Sequence, residues 1–156
     1  MLVTLTRDTQ RNGGPDMPCL EITMPAVDEA TRARLAERLT ATFTETTGHP
    51  AEIFGIRFAE FAAGMCASGG SLWAGGEERP YLHMILYCGR LRRAQKQLVV
   101  ERLSAVFAEC VAKPSWVPVV HIAEFPFDNV GVDGALLSDA FEGCRDRPFY
   151  YQLDDG

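Results

Sequence analysis

Two ionisable side chains lie in the middle of otherwise apolar segments, where they could take part in chemistry. Arg57 interrupts Ile53–Phe61, and His121 has the corresponding position in Val117–Phe125. A charge in such a segment is costly unless it has a partner, so Arg57 either pairs with Glu60 or faces a substrate site. His121 is either a satisfied surface or core residue or an acid–base group. Both are candidate substrate-binding residues.

A local cluster of positive charge follows an apolar segment that ends at Tyr87. The cluster consists of Arg90, Arg92, Arg93 and Lys96. It is either the solvated first turn of a helix or a site for an anion such as a carboxylate, which arginine binds through paired hydrogen bonds. Tyr87 is either a packing residue or part of the lining of a pocket.

The composition argues against several functional classes. A net charge of −6 and a pI near 5.0 do not favour a nucleic-acid or membrane partner. The five cysteines are widely spaced without a C-x-x-C pair, and the three histidines have no metal-ligand spacing. The first ten residues lack the apolar core of a signal peptide, and no segment approaches a membrane span. We expect no metal and a cytoplasmic location.

These candidate residues lie in a segment that occurs twice. When the sequence is shifted by 64 positions, Glu37–Phe61 aligns with Glu101–Phe125 without a gap, with 10 identities in 25 positions. Such self-similarity indicates one supersecondary unit used twice. Arg57 and His121 are therefore equivalent positions of the two copies.

Each copy is predicted to be a strand, a helix and a second strand. Apolar and polar residues alternate in Cys19–Met24, which is typical of a half-buried strand. Leu35, Leu39 and Phe43 then recur every four residues, and Asp28 is a good N-cap for this helix. The predicted elements are strands Cys19–Met24, Ile53–Phe61, Tyr81–Tyr87 and Val117–Phe125, helices from about Asp28 to Gly48 and Arg92 to Ala112, a loop or β-ribbon at Gly64–Gly76, and a turn-rich segment at Pro126–Gly134.

The predicted fold class is α/β (α+β), with two βαβ repeats forming one four-stranded sheet. The strands are parallel within each repeat and both helices cover one face. The other face is expected to be apolar, which favours oligomerisation. The domain prediction is an N-terminal extension (1–17) and one domain (18–156), with repeat one at 18–76, repeat two at 80–135 and a C-terminal tail at 136–156.

A known family shows the same pattern. The start Met17-Pro18-Cys19-Leu20-Glu21-Ile22 and the doubled βαβ chain resemble the tautomerase superfamily, in which each half is similar to 4-oxalocrotonate tautomerase. The resemblance covers about residues 17–135 and implies a tautomerase/MIF-like fold. Similarity to the cis-3-chloroacrylic acid dehalogenase subgroup rests on Thr47-Gly48, Ile56–Glu60, Ala63-Gly64, Gly69-Gly70, Gly75-Gly76 and Gly89-Arg90.

The resemblance implies a cofactor-free isomerase in which an N-terminal proline is the base. Burial lowers the pKa of such an amine, so that it can move a proton on a small keto, enol or unsaturated carboxylic acid. The proline corresponds to Pro18, and the arginine that holds the substrate carboxylate corresponds to Arg90, with Arg92 beside it. The family also implies a homotrimer.

The sequence departs from the family at positions that matter for chemistry. Pro18 is preceded by seventeen residues, so its nitrogen is an amide without basicity. Either translation begins at Met17 and the methionine is trimmed, or residues 1–17 are removed, or the chain is a non-catalytic or proline-independent relative whose extension blocks Pro18. Tyr87 replaces a second arginine of the dehalogenases, and Asp133 is near the position of their water-activating glutamate, so chloroacrylate dehalogenation is not expected. In a proline-independent enzyme, His121, Asp133 or Tyr87 would be the acid–base groups.

Overall fold

The computed structural model describes residues 18–140. The predicted N-terminal extension and the predicted tail beyond residue 140 lie outside the described residues. The first copy contains β1 (Cys19–Pro25), α1 (Glu29–Thr47), a 3₁₀ turn (Ala51–Ile53), β2 (Gly55–Phe61), β3 (Ala67–Ser68) and β4 (Ser71–Leu72). The second contains β5 (His83–Cys88), α2 (Arg93–Val111), β6 (Val119–Glu124), a 3₁₀ turn (Phe127–Asn129), β7 (Gly131–Val132), β8 (Ala135–Leu136) and α3 (Leu137–Ala140).

The four longer strands have the predicted topology. Their order across the sheet is β2-β1-β5-β6, with β1 parallel to β2, β5 parallel to β6, and β1 antiparallel to β5 at the centre. Parallel neighbours need a crossover connection, which α1 and α2 supply. The prediction of two βαβ units in one sheet is confirmed. The strands β2, β5 and β6 each begin two residues later than predicted.

Alternation along the central strands turns one face of the sheet to the helices. The side chains of Leu20, Ile22 and Met24 in β1 are fully buried, as are Met84 and Leu86 in β5. The stripe at four-residue spacing on each helix packs against them, and this packing, more than intrinsic propensity, holds a helix in place. The fully buried helix residues are Leu35, Leu39 and Phe43 on α1, and Val99, Leu103 and Phe107 on α2.

The carboxylates of Glu60 and Glu124 have the same structural role in the two units. Glu60 accepts hydrogen bonds from the backbone N–H of Val27 at 3.0 Å and from the guanidinium of Arg32 at 2.6 Å. Glu124 accepts from the groups 64 positions further along, the backbone N–H of Leu91 at 2.9 Å and the ammonium of Lys96 at 2.5 Å. Each carboxylate thus ties the end of a second strand to the entry of the helix before it.

The structural repeat extends beyond the region of sequence identity into two short hairpins. The strands β3 and β4 are joined by Gly69-Gly70, and β7 and β8 by Asp133-Gly134. The φ angles are 57° and 83° in the first turn and 52° and 79° in the second. A two-residue hairpin turn of type I′ requires positive φ angles at both of its central residues.

The two long helices begin differently. Asp28 caps α1 as predicted, since its carboxylate accepts a hydrogen bond from the backbone N–H of Thr31 at 2.7 Å. A hydrogen bond with the side chain of Thr31, and then this one with its backbone, hold the pKa of Asp28 below its ordinary value. Helix α2 begins after Arg92, whose backbone N–H donates to the side-chain oxygen of Gln95 at 3.0 Å. Part of the predicted basic cluster is therefore the start of a helix.

The ends of these helices give a test of the repeat. Each ends in a left-handed residue, Gly48 with φ 78° and the equivalent Ala112 with φ 55°. A β-carbon is strained in this conformation, so we expect Ala112→Gly to raise the free energy of unfolding by about 1 kcal/mol. The reverse change, Gly48→Ala, is the matched control and should lower it by about as much. Urea unfolding of both variants checks this, and a destabilised Ala112→Gly protein would contradict it.

The face of the sheet turned away from the helices is partly polar, which corrects the prediction of an apolar face. Glu21 of β1 is opposite Arg57 of β2, and Ile85 of β5 is opposite His121 of β6. The rings of His121 and His83 are 6.2 Å apart. An uncovered antiparallel pair alternates between buried and solvated positions, and the apolar run of β5 concealed that alternation in the sequence.

Candidate active site

A cavity of about 390 Å³ lies at the end of the sheet where β1 begins and β5 ends. The antiparallel pairing of these strands places Cys19 beside Tyr87, and Phe125 follows directly on β6. The 3₁₀ turn (Phe127–Asn129), Val130 and the first residue of β7, Gly131, supply the remaining wall. The lining residues are Cys19, Glu21, Tyr87, Cys88, Gly89, Phe125, Phe127, Asn129, Val130 and Gly131.

The polar centre of this cavity is a contact between Tyr87 and Glu21. The phenol hydroxyl donates a hydrogen bond to Oε2 of Glu21 at 3.3 Å. The ring of Tyr87 is stacked on Phe125, with the ring centroids 5.8 Å apart and the planes at 8°. Burial, and then the negative charge of Glu21, raise the pKa of Tyr87, so the phenol stays protonated at neutral pH.

Cys19 supplies a thiol to the same wall. Burial is the largest cause that raises its pKa, and the charge of Glu21 raises it further, while the guanidinium of Arg57 lowers it. The raising causes outweigh the lowering one, so the group is held as the neutral thiol, which is the less nucleophilic form.

Pro18 precedes Cys19 at the mouth of β1 and is buried. Its carbonyl oxygen accepts a hydrogen bond from the N–H of Gly55 at 3.2 Å, as the carbonyl of Leu82 does from Val119 at 3.0 Å in the second unit. Leu82 is thus the structural counterpart of Pro18. Pro18, the residue that the family resemblance implies as the base, directly precedes the lining residue Cys19 and is not itself among the lining residues.

The structure brings some predicted site residues to this cavity. Tyr87 lines it, Arg90 directly follows the lining residue Gly89, and Asp133 lies in the β7–β8 turn, two residues after the lining residue Gly131. Arg92, at the start of α2, is exposed and does not line it. Of these predicted site residues, Tyr87 lies in the cavity wall, whereas Arg90, Arg92 and Asp133 are not among the residues that line it in the described part of the chain.

Arg57 and His121 lie on the open face of the sheet and do not line the cavity. The alternative in which Arg57 pairs with Glu60 is wrong, because successive strand residues point to opposite faces and Glu60 binds Arg32 on the helix side. Arg57 is instead the register partner of Glu21. Both exposed residues are available to an interface.

Sequence reasoning did not single out Glu21. The sequence feature that could have indicated it is a carboxylate between the buried residues Leu20 and Ile22, two residues after Cys19. This alternation places Glu21 on the face of the sheet that the helices leave open. Its hydrogen-bonding partner, Tyr87, is 66 residues away along the chain. Only the strand register connects the two.

Within residues 18–140, no group of three or more histidine, cysteine, aspartate or glutamate side chains is arranged to hold a metal ion. Among the described helices, none combines the length and apolarity needed to cross a membrane.

Known structures share this architecture. No protein-family model and no curated protein matches the chain. A native fused 4-OT matches with a TM-score of 0.71 and 24% identity, over 78% of this chain and 97% of its own. Pt0534 inactivated by 2-oxo-3-pentynoate matches with a TM-score of 0.67 and 18% identity, over 78% and 97%. N1, a member of the cis-3-chloroacrylic acid dehalogenase family, matches with a TM-score of 0.61 and 22% identity, over 76% and 82%.

Three further structural matches are fused 4-OT proteins solved as trimers, two asymmetric and one symmetric. At these levels of identity the similarity establishes the fold. The chain has the tautomerase fold, in its doubled form.

Proposed function

We propose that this protein is a cofactor-free tautomerase or related isomerase that acts on a small keto, enol or unsaturated carboxylic acid, with Pro18 as the base. The observation that carries the proposal is the position of Pro18, one residue before the first cavity-lining residue of a chain with the tautomerase fold. The Pro18 nitrogen is basic only as a free secondary amine and not as an amide, so the proposal applies to the form of the protein in which Pro18 is the first residue.

The proposed reaction is a proton transfer within the substrate. The proline amine takes the proton of an enol hydroxyl, the oxygen electrons form the carbonyl, and the electron pair of the carbon–carbon double bond accepts the proton back on carbon. The amine is regenerated, so no cofactor is needed. We assign the substrate carboxylate to Arg90, which directly follows the lining residue Gly89, with Arg92 two residues further along the chain as a second cation.

We further propose that the protein is a homotrimer. The support is the uncovered face of the sheet, which carries the exposed Arg57 and His121, and the trimeric assemblies of the fused 4-OT neighbours. Edge strands β2 and β6 are available for contacts between subunits. The proposed location is the cytoplasm, in line with the odd number of cysteines.

The proposal is tested with 2-oxo-3-pentynoate, the compound that inactivated Pt0534. The amine adds to the alkyne carbon β to the ketone and forms a nitrogen–carbon bond there. The proton that the nitrogen loses moves to the α-carbon. We expect one adduct per chain on the Pro18 nitrogen of a protein that begins at Pro18, and no adduct at this position in the full chain. Peptide mass spectrometry locates the adduct.

The neighbouring thiol requires a control, because Cys19 lines the same cavity. Since its pKa is raised, the thiol is the slower nucleophile at neutral pH, and a Cys19→Ala variant should be labelled as the parent is. Labelling that disappears in Cys19→Ala, or an unmodified Pro18 in a folded protein that begins there, would count against a proline base.

The second candidate is a proline-independent or non-catalytic protein in which residues before Pro18 block its nitrogen. The observation that favours it is the hydrogen bond between Tyr87 and Glu21, which offers acid–base groups without the amine. In that case the full chain would be active and Tyr87→Phe would abolish its activity, or the full chain would bind small ligands without turnover.

A further inference from the structure

The charge distribution of the cavity differs from that of a simple carboxylate pocket. Of the ten residues that line it in the described part of the chain, Glu21 is the charged one. The thiol of Cys19 and the phenol of Tyr87 are held neutral, because both pKa values are raised. Arg57, the register partner of Glu21, is exposed and lies outside the lining. The charge that the lining itself presents is therefore negative, and a carboxylate bound against Glu21 would meet repulsion there.

The hydrogen bond of Tyr87 fixes what this wall offers to a ligand. Because the phenol proton is directed at Oε2 of Glu21, the lone pairs of the phenol oxygen remain available as acceptors. The second carboxylate oxygen of Glu21 is a further acceptor. Phe125 holds the phenol ring by stacking, and Phe127 adds another aromatic surface to the lining.

We propose that Glu21 and Tyr87 form a subsite for the uncharged or cationic, hydrogen-bond-donating end of a ligand, and that they exclude a carboxylate from this wall. Resting on the proposed function, the inference places the uncharged end of the substrate against Tyr87 and Glu21 and its carboxylate at the mouth, toward Arg90. Glu21 is then a specificity-determining residue of the cavity.

The test compares three probes that share one aromatic ring and differ in the charged or polar end: benzylammonium, benzyl alcohol and benzoate. Binding to the full chain is measured from NMR shifts of the backbone amides of Cys19, Tyr87 and Gly89, which report on this cavity. We expect benzylammonium and benzyl alcohol to bind at least about tenfold more tightly than benzoate, because the negative charge of Glu21 repels a carboxylate bound beside it.

Two variants separate the local charge of Glu21 from the net charge of the protein. Glu21→Gln removes the charge with little change in shape, and should bring benzoate to within about twofold of benzyl alcohol. Glu101→Gln, on the exposed surface of α2, changes the net charge equally and should leave the order of the three affinities unchanged.

A third variant, Tyr87→Phe, tests the hydroxyl. It should weaken the binding of benzyl alcohol more than that of benzylammonium, because it removes the phenol oxygen that accepts a hydrogen bond from the alcohol.

The inference is overturned if benzoate binds the wild-type cavity as tightly as benzyl alcohol does, if no probe shifts these amides, or if Glu21→Gln leaves the order as it was. If a variant fails to fold, the order of the three probe affinities for the wild-type protein decides the test alone. Since binding requires neither a free Pro18 nitrogen nor turnover, a failure of the proline-base proposal is distinguished from a failure of this one.

Discussion

Replacing Phe43 by alanine will lower the free energy of unfolding by about 3–5 kcal/mol, the usual cost of removing a buried phenylalanine. The side chain is fully buried on α1 and is stacked on Phe54, with ring centroids 4.3 Å apart and planes at 8°. Its counterpart on α2, Phe107, is also fully buried. The position equivalent to Phe54 is Pro118, so no such stacked ring is expected for Phe107.

The two alanine variants are therefore matched, and Phe43→Ala should cost about 0.5–1.5 kcal/mol more than Phe107→Ala, the value of an aromatic pair. Denaturant unfolding followed by far-UV circular dichroism measures the difference. All proteins are compared at one concentration, because subunit association adds to apparent stability. Equal losses, or a larger loss for Phe107→Ala, would show that the stacked contact with Phe54 contributes nothing measurable.

The positions of these phenylalanines show why the architecture was predictable from the sequence. Phe43 and Phe107 are among the identities at the 64-residue offset, and each completes an apolar stripe at helical spacing. Glu60 and Glu124 are also identical at this offset, and such repetition favours a shared structural role over chemistry. Their matching hydrogen bonds confirm it. Local periodicity and internal repetition sufficed here because both act within one unit.

The hairpins and the centre of the cavity depend on information that the local pattern does not carry. A two-residue strand such as Gly131–Val132 is too short to show alternation, and Asp133 adopts a left-handed conformation that glycine would have indicated more clearly. Glu21 and Tyr87 come together through the antiparallel register of β1 and β5. Alternation predicts the face of a strand on which a residue lies, but not its partner on the next strand.

A protein that begins at Pro18 will ketonise a simple enol-pyruvate about 10²–10⁴-fold faster than the full chain, the range that a positioned acid–base group contributes. The reason is the chemical state of one nitrogen. In the full chain it belongs to the amide bond between Met17 and Pro18 and has no lone pair available for a proton, whereas at a chain start it is a secondary amine. The decrease in enol absorbance with time measures the rate.

The decisive control is a protein in which a single uncleaved residue remains before Pro18. It also lacks the first sixteen residues, so it separates removal of a covering segment from release of the amine. If the amine is the base, this protein will be as slow as the full chain. If it is as fast as the protein that begins at Pro18, the extension acts by blocking the cavity and the base is another group. Tyr87→Phe in the same background then identifies that group, because Tyr87 is the acid–base candidate from the sequence that lines the cavity in the described part of the chain.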